Sequence, residues 1–260
     1  MRLSDAVASS TIGRRQQSLQ RPTWLHTLRR VVGGSAAAKA FLRWLYTQLW
    51  LLPRQHGLIA RYLAQHPVRR LELGCSFHWR QGWLCTDLHA MDPIVYLDVG
   101  RPFPLPDASI DYIYNEHMIE HIPYELATFM LHECFRVLKP GGRIRVATPD
   151  LAMHVALTTA EPTGIAARYV DWMNESSPIA HRNRPGFALN RIFYDWGHQF
   201  IYDHQTLPDL FERAGFIGID RKPVGVSGDS ELVGLEMHGE HMPPEFNELS
   251  TMVYEAVKPR

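Results

Sequence analysis

The sequence predicts an α/β protein built on a doubly wound, mostly parallel seven-stranded sheet with helices on both faces. Three observations carry that prediction. Short apolar runs end in acids at Asp87 and Asp98, as parallel strands do where they enter ligand-facing loops. Segments with helical apolar spacing separate the strands. Glycines punctuate the pattern at Gly74, Gly141-Gly142 and Gly215. At 260 residues with 45% apolar and 21% charged side chains, the chain has the composition of a globular domain with additions and not of a disordered one.

In chain order, residues 58–65 read as a short helix and 69–74 as the first strand. Residues 83–87, 94–98 and 110–114 are the next three strands. Residues 125–138 place Leu126, Phe129, Met130, Cys134, Val137 and Leu138 at helical spacing, with Gly141-Gly142 as the stop. A fifth strand covers 143–147 and is closed by Pro149. Residues 207–214 form a helix stopped by Gly215, and 216–220 and 252–257 supply the last strands. Asp203 is a plausible N-cap for that last helix.

The net charge of zero hides an asymmetry. Residues 1–71 hold eleven Arg, one Lys and a single acid, Asp5, so the remainder is acidic. A basic arm of this kind seeks anions or stays solvated, and residues 1–57 are expected to form a partly disordered, partly helical extension with possible peripheral membrane contact. Residues 36–52 are rich in Ala, Leu and Trp, but Lys39 and Arg43 interrupt them, and Pro53 is expected to end them short of a membrane span. A helix packed on the domain is the expected role. No h-region follows the first basic residues, so a secretory signal is not expected. Three cysteines at irregular spacing (Cys75, Cys85, Cys134) fit a reducing cytoplasm.

The chemistry concentrates between Arg69 and Asp150. Gly74 ends the first strand, where the lack of a Cβ lets a ligand approach the backbone. Asp87 ends the second, and a carboxylate there accepts both hydroxyls of a ribose. Asp98 is placed to accept from the exocyclic amine of a purine. Asn115 and Glu116, after the fourth strand, are expected to face the same crevice. Acids at successive strand ends describe a nucleoside pocket at the carboxyl edge of a parallel sheet.

These residues carry a resemblance. The runs Leu73-Gly74-Cys75-Ser76, Gly82-Trp83-Leu84-Cys85-Thr86-Asp87, Leu105-Pro106-Asp107 with Ile110-Asp111, Glu116-His117-Met118-Ile119-Glu120-His121 and Phe135-Arg136-Val137-Leu138-Lys139-Pro140-Gly141-Gly142 together resemble class I S-adenosylmethionine-dependent methyltransferases, over roughly residues 69–257. The resemblance implies a Rossmann-like domain over 58–260, with a cap insertion at about 151–196. It implies S-adenosylmethionine as cofactor, with S-adenosylhomocysteine as product, held by Glu72, Gly74, Cys75, Ser76, Asp87, Leu88, Asp98, Val99, Asn115 and Glu116. Ser76 departs from the pattern: it stands where the family has a second glycine, and a left-handed backbone there is costly for serine.

The expected reaction is methyl transfer to a small-molecule or glycan acceptor, at a hydroxyl oxygen, with an active-site base. His198 is the first candidate base, with His117 and His121 next, and Asp195 a candidate to orient an imidazole; general-base catalysis typically contributes about 10²–10⁴-fold. A non-catalytic nucleoside binder and a nucleic-acid methyltransferase are the alternatives. The second is disfavoured because the loop after the fourth strand reads Asn115-Glu116-His117-Met118 and not a base-methylase loop. A homodimer is a further expectation. One rival motif shares the region: His117-Met118-Ile119-Glu120-His121 spells an inverted zinc-protease run, two histidines four apart on a helical face, with Glu133, Asp195 or His198 as a third ligand. Its place after a strand favours the methyltransferase reading, and no metal is expected.

Overall fold

The computed structural model of the chain describes residues 36–180 and 182–260. The arginine-rich part of the expected extension, residues 1–35, lies outside them. The chain divides into two compact units, Met1–Thr47 and Gln48–Arg260. In the first, helix α1 (Ala36–Tyr46) is amphipathic, and Phe41 stacks on Trp44 at 5.9 Å. No described helix is long and apolar enough to cross a membrane.

The second unit begins earlier than the expected boundary after residue 57, because helix α2 (Leu52–Gln65) is anchored in it. Ile59 and Tyr62 are buried in its core, the Tyr62 hydroxyl donates to the Arg70 carbonyl at 2.8 Å, and Gln55 Nε2 donates to the Tyr96 carbonyl at 2.6 Å. Pro53 does not stop this segment. It sits in the first turn of α2, where a missing N–H costs no helical bond.

The sheet has seven strands: β1 (Arg70–Leu73), β2 (Trp83–Asp87), β3 (Val95–Tyr96), β4 (Ile110–Glu116), β5 (Leu138–Pro149), β6 (Ile217–Lys222) and β7 (Thr251–Val257). Their order is β3-β2-β1-β4-β5-β7-β6. β7 runs antiparallel to both neighbours, and the pairings among β1 to β5 are parallel. The direction of winding reverses between β1 and β4, which makes their carboxyl edge the ligand-binding crevice of such a sheet.

One face carries Leu71, Leu73, Ile113, Ile144 and Val146 under α2, α3 (Tyr124–Val137) and α7 (Thr206–Ala214) in the main apolar core. Over the central strands the opposite face differs from the expected helical cover. It presents Cys85, Trp83 and Tyr114, packed against Leu232 and Leu235 of the irregular segment 223–237. Polar groups in that face explain the choice. Arg145 of β5 is fully buried and meets Glu255 of β7 and Glu236 of the segment, each at 2.6 Å. Backbone carbonyls of an irregular segment complete its hydrogen bonds in a way a helix flank does not.

The expected stop of α3 at Gly141-Gly142 comes earlier, since α3 ends at Val137 and β5 starts at Leu138. Gly141, at φ +80, and Gly142 lie within β5, where a Cβ on Gly142 would meet the Lys139 carbonyl at 2.8 Å. The Asp203 carboxylate accepts from the backbone N–H groups of Gln205 and Thr206, satisfying donors at the start of α7 and holding its own pKa below the usual range. The insertion forms three helices, α4 (Leu151–Thr159), α5 (Gly164–Glu175) and α6 (Pro185–Tyr194), around a separate core of Leu157, Tyr169, Val170, Met173, Ala188 and Ile192.

Candidate active site

A cleft of about 530 Å³ opens at the carboxyl edge of β1 and β4 and runs under the inserted helices. Its sheet side is walled by Glu72, Gly74, Cys75, Ser76 and Glu116. Its cap side is aromatic and thioether-rich, with Tyr169, Trp172, Met173, Trp196 and Met242. Between the two lie seven of the chain's 14 histidines: His78, His117, His121, His154, His198, His238 and His241.

The loop after β1 turns through two left-handed residues, Gly74 (φ +72) and Ser76 (φ +54). Serine therefore adopts the conformation that usually selects glycine, at a cost of about 1–2 kcal/mol. Bonds to β2 hold it there: Gly74 and Cys75 N–H donate to the Thr86 carbonyl, and Ser76 N–H donates to Asp87 Oδ2 at 3.0 Å. The glycine has a different neighbour from the one expected. A Cβ at position 74 would lie 2.4 Å from Met118 Cγ, so it is Met118 that fills the space a side chain would take.

The predicted cofactor residues fall into three groups. Glu72, Gly74, Cys75, Ser76 and Glu116 line the cleft. Asp87 and Asp98 stand at the same strand edge but outside its lining: Asp87 also accepts from His89 N–H at 2.7 Å, and Asp98 accepts from Gly100 N–H and pairs with Arg101. Leu88 is exposed beside Asp87. The others are drawn into the fold. Val99 is buried in the main core, and Asn115, expected to face the crevice, is fully buried and donates across the sheet to the Leu73 carbonyl at 3.0 Å.

The carboxylates in the cleft have structural partners. Burial pushes the Glu72 carboxyl up, against the opposing pull of Arg80. Glu116 accepts the backbone N–H groups of Met237 and His238 at 2.9–3.0 Å, which fixes the second wall of the cleft to the end of β4.

Two expected catalytic roles are corrected. Asp195 does not orient an imidazole. It follows α6 and pairs with Arg191, one turn back, at 2.7 Å. His117 has neither ring nitrogen free, since Nδ1 meets Glu120 Oε1 at 3.0 Å and Nε2 meets Thr251 Oγ1 at 3.2 Å. Burial would lower the His117 pKa, but the Glu120 hydrogen bond and charge outweigh it and hold it above the usual value, while Glu120 is held below its own. The expected helical face shared by His117 and His121 is also absent. His117 is left-handed (φ +45) and precedes a short 3-10 turn, Ile119–His121, so the two do not share an α-helical face.

His198, by contrast, stands in the cleft in a defined tautomer. Its Nδ1 donates to the Ile192 carbonyl at 2.6 Å, leaving Nε2 with an open lone pair. The His121 ring packs edge-on against it at 4.7 Å. Of the three third ligands considered for the inverted motif, Asp195 pairs with Arg191, and Glu133 is bound to Arg136 and Phe103 N–H on α3; only His198 approaches Glu120 and His121.

Sequence reasoning missed His154 and Tyr169 of the cap. His154 is fully buried and bonded to the Tyr169 hydroxyl at 2.9 Å, and burial lowers its pKa to about 4. It is therefore neutral in the native state, while the unfolded chain takes up a proton at ordinary histidine pH. Stability is expected to fall by roughly 3 kcal/mol as pH drops from about 6.5 to about 4. Urea denaturation across that range checks this, and the slope is expected to flatten in His154→Gln.

A parallel sheet that reverses at β1/β4, with acids closing β2 and β3 and a cleft at the reversal, defines a nucleoside-binding α/β domain. Residues 71–146 match the family model described as "Methyltransferase domain", and this part of the chain is similar to S-adenosylmethionine-dependent methyltransferases. A Mycolicibacterium smegmatis protein named as a probable S-adenosylmethionine-dependent methyltransferase is 53% identical over 47 residues, 18% of each chain. A demethylmenaquinone methyltransferase of Anoxybacillus flavithermus is 28% identical over 125 residues, 46% of each. The chain thus spans less than half the length of these curated relatives. A solved S-adenosylmethionine-dependent methyltransferase from Mesorhizobium loti superimposes over 77% of this chain and 95% of its own, at TM-score 0.45 and 17% identity.

Proposed function

We propose that the protein transfers a methyl group from S-adenosylmethionine to a hydroxyl oxygen of a small-molecule or glycan acceptor. The observation that carries this reading is the two-sided cleft: nucleoside-type loops of the sheet form one wall, and an aromatic cap with open imidazoles forms the other. The residues present fit the cofactor. The volume lies within the roughly 300–1,000 Å³ of small-molecule sites. Each Asp87 oxygen accepts one backbone N–H and keeps acceptor capacity for a ribose hydroxyl.

When bound, S-adenosylmethionine supplies an electrophilic methyl group on a positively charged sulfur. Asp87 orients the nucleoside end, and Gly74–Ser76 bring the backbone against it. Trp172, Trp196 and Tyr169 wall the acceptor side. The acceptor's hydroxyl is placed at the imidazole–carboxylate cluster of Glu120, His121 and His198, which favours loss of its proton. Positioning for in-line displacement supplies much of the rate.

Calorimetric titration with S-adenosylmethionine and S-adenosylhomocysteine tests the reading. Micromolar binding is expected, weakened about 10- to 100-fold in Asp87→Ala through loss of charge-assisted bonds. Folded wild-type protein that binds neither compound overturns it.

A further inference from the structure

Three donor groups converge on the acceptor side of the cleft. One ligating atom from each of Glu120, His121 and His198 lies within 4.8 Å of the other two. Donors sharing one ion at about 2.0–2.2 Å lie roughly 3–3.5 Å apart, and side-chain rotation of the two half-buried histidines closes that gap.

The arrangement around them is that of a built site. The His198 imidazole is anchored through Nδ1 to the Ile192 carbonyl, so its Nε2 keeps a lone pair toward the cleft, and the His121 ring packs edge-on against it. The Glu120 carboxylate is fully buried, and its oxygens are oriented by His117 Nδ1 at 3.0 Å and Thr148 Oγ1 at 3.0 Å. The two ligand-bearing segments are laced together by backbone: Gln199 and Phe200 N–H both donate to the Glu120 carbonyl, at 2.7 and 3.2 Å, and Gln199 Nε2 donates to the His121 carbonyl at 2.8 Å. Consecutive left-handed residues, Trp196 (φ +58) and Gly197 (φ +78), turn the chain just before His198.

We propose that Glu120, His121 and His198 bind one divalent first-row transition-metal ion of the zinc class, leaving open coordination positions toward the cleft. Two imidazoles and a carboxylate form a three-ligand set that zinc uses in catalytic sites. The inference deepens the methyltransferase reading and rests on it for its use. An acceptor hydroxyl bound to the ion is acidified and releases its proton to solvent. Its oxygen lone pair then forms the O–CH₃ bond as the S–CH₃ bond breaks, and that electron pair stays on sulfur in S-adenosylhomocysteine. His198 then acts as a ligand and is not itself the base.

The test uses the full chain, stripped with a chelator and titrated with zinc in competition with a chromophoric chelator. One equivalent is expected to bind, with affinity reduced at least 100-fold in His198→Ala and in His121→Ala and unchanged in His132→Ala, an exposed histidine of α3. S-adenosylhomocysteine calorimetry on the same samples reports folding and the cofactor site independently. Absence of zinc binding in protein that still binds S-adenosylhomocysteine overturns the metal site and leaves the methyltransferase reading standing. Unweakened binding in both histidine variants also overturns it. Zinc binding without S-adenosylhomocysteine binding supports the site and removes its proposed use in methyl transfer.

Discussion

Arg145→Ala is expected to destabilise the protein by about 3–5 kcal/mol, the largest single-residue effect on the fold. The guanidinium has no solvent exposure and bridges Glu236 and Glu255 while donating to the Val226 carbonyl at 2.9 Å. Its removal leaves two buried carboxylates, 1% and 5% exposed, without their shared cation. The loss comes from the abandoned acids more than from the missing pair, so Arg145→Lys is expected to recover only part of it. A single ammonium lacks the planar fork that reaches two acids and two carbonyls at once. Urea denaturation measures the cost. S-adenosylhomocysteine affinity is expected to fall in parallel, because the segment held by Arg145 continues into Met237 and His238 on the cleft wall. An unchanged midpoint would show that the network is not the clamp described.

Gly74→Ala is expected to cost roughly 2–5 kcal/mol, from two separable sources. A left-handed backbone at φ +72 penalises any Cβ by about 1–2 kcal/mol. The rest is overpacking of about 1–3 kcal/mol, since the new methyl meets Met118 Cγ at 2.4 Å and Cβ at 2.7 Å, the stiff near end of that side chain. Met118→Gly in the same molecule removes both clashing atoms and so relieves the second source and not the first. A double-mutant cycle is therefore expected to show a favourable coupling of at least about 1 kcal/mol. Strictly additive costs would mean that the glycine is required for the backbone alone.

Much of the sheet was legible in the sequence because strand, helix and turn signals agreed with one another. β2 spans the predicted residues, and α3 and α7 fall within a residue of their predicted limits. The two helices are periodic segments buried on one face, where pattern and burial are the same fact. The cover of the second face was not legible, because it depends on where Arg145 finds acids 91 and 110 positions away. Local spacing contains no such information.

The site divides in the same way. Gly74 and Ser76 could be placed because strand ends define the crevice, whereas Asn115 was misplaced because strand alternation turned its amide into the sheet. Asp195 and His198 stand three apart in the sequence, yet a helix end gives Asp195 to Arg191 and a left-handed turn gives His198 to the cleft. His154 carried no signal, being one polar residue in an apolar helix.

The position of β7 has a consequence for biosynthesis. It follows β6 along the chain but is inserted between β5 and β6. Until its residues have been made, β6 has no strand to pair with and Arg145 lacks the Glu255 carboxylate. The nascent protein therefore carries an unpaired β5 edge, with Arg145 lacking one of its acids, from the time β5 is made until β7 follows. Partial chains released before Thr251 are expected to be clients of chaperones and proteases.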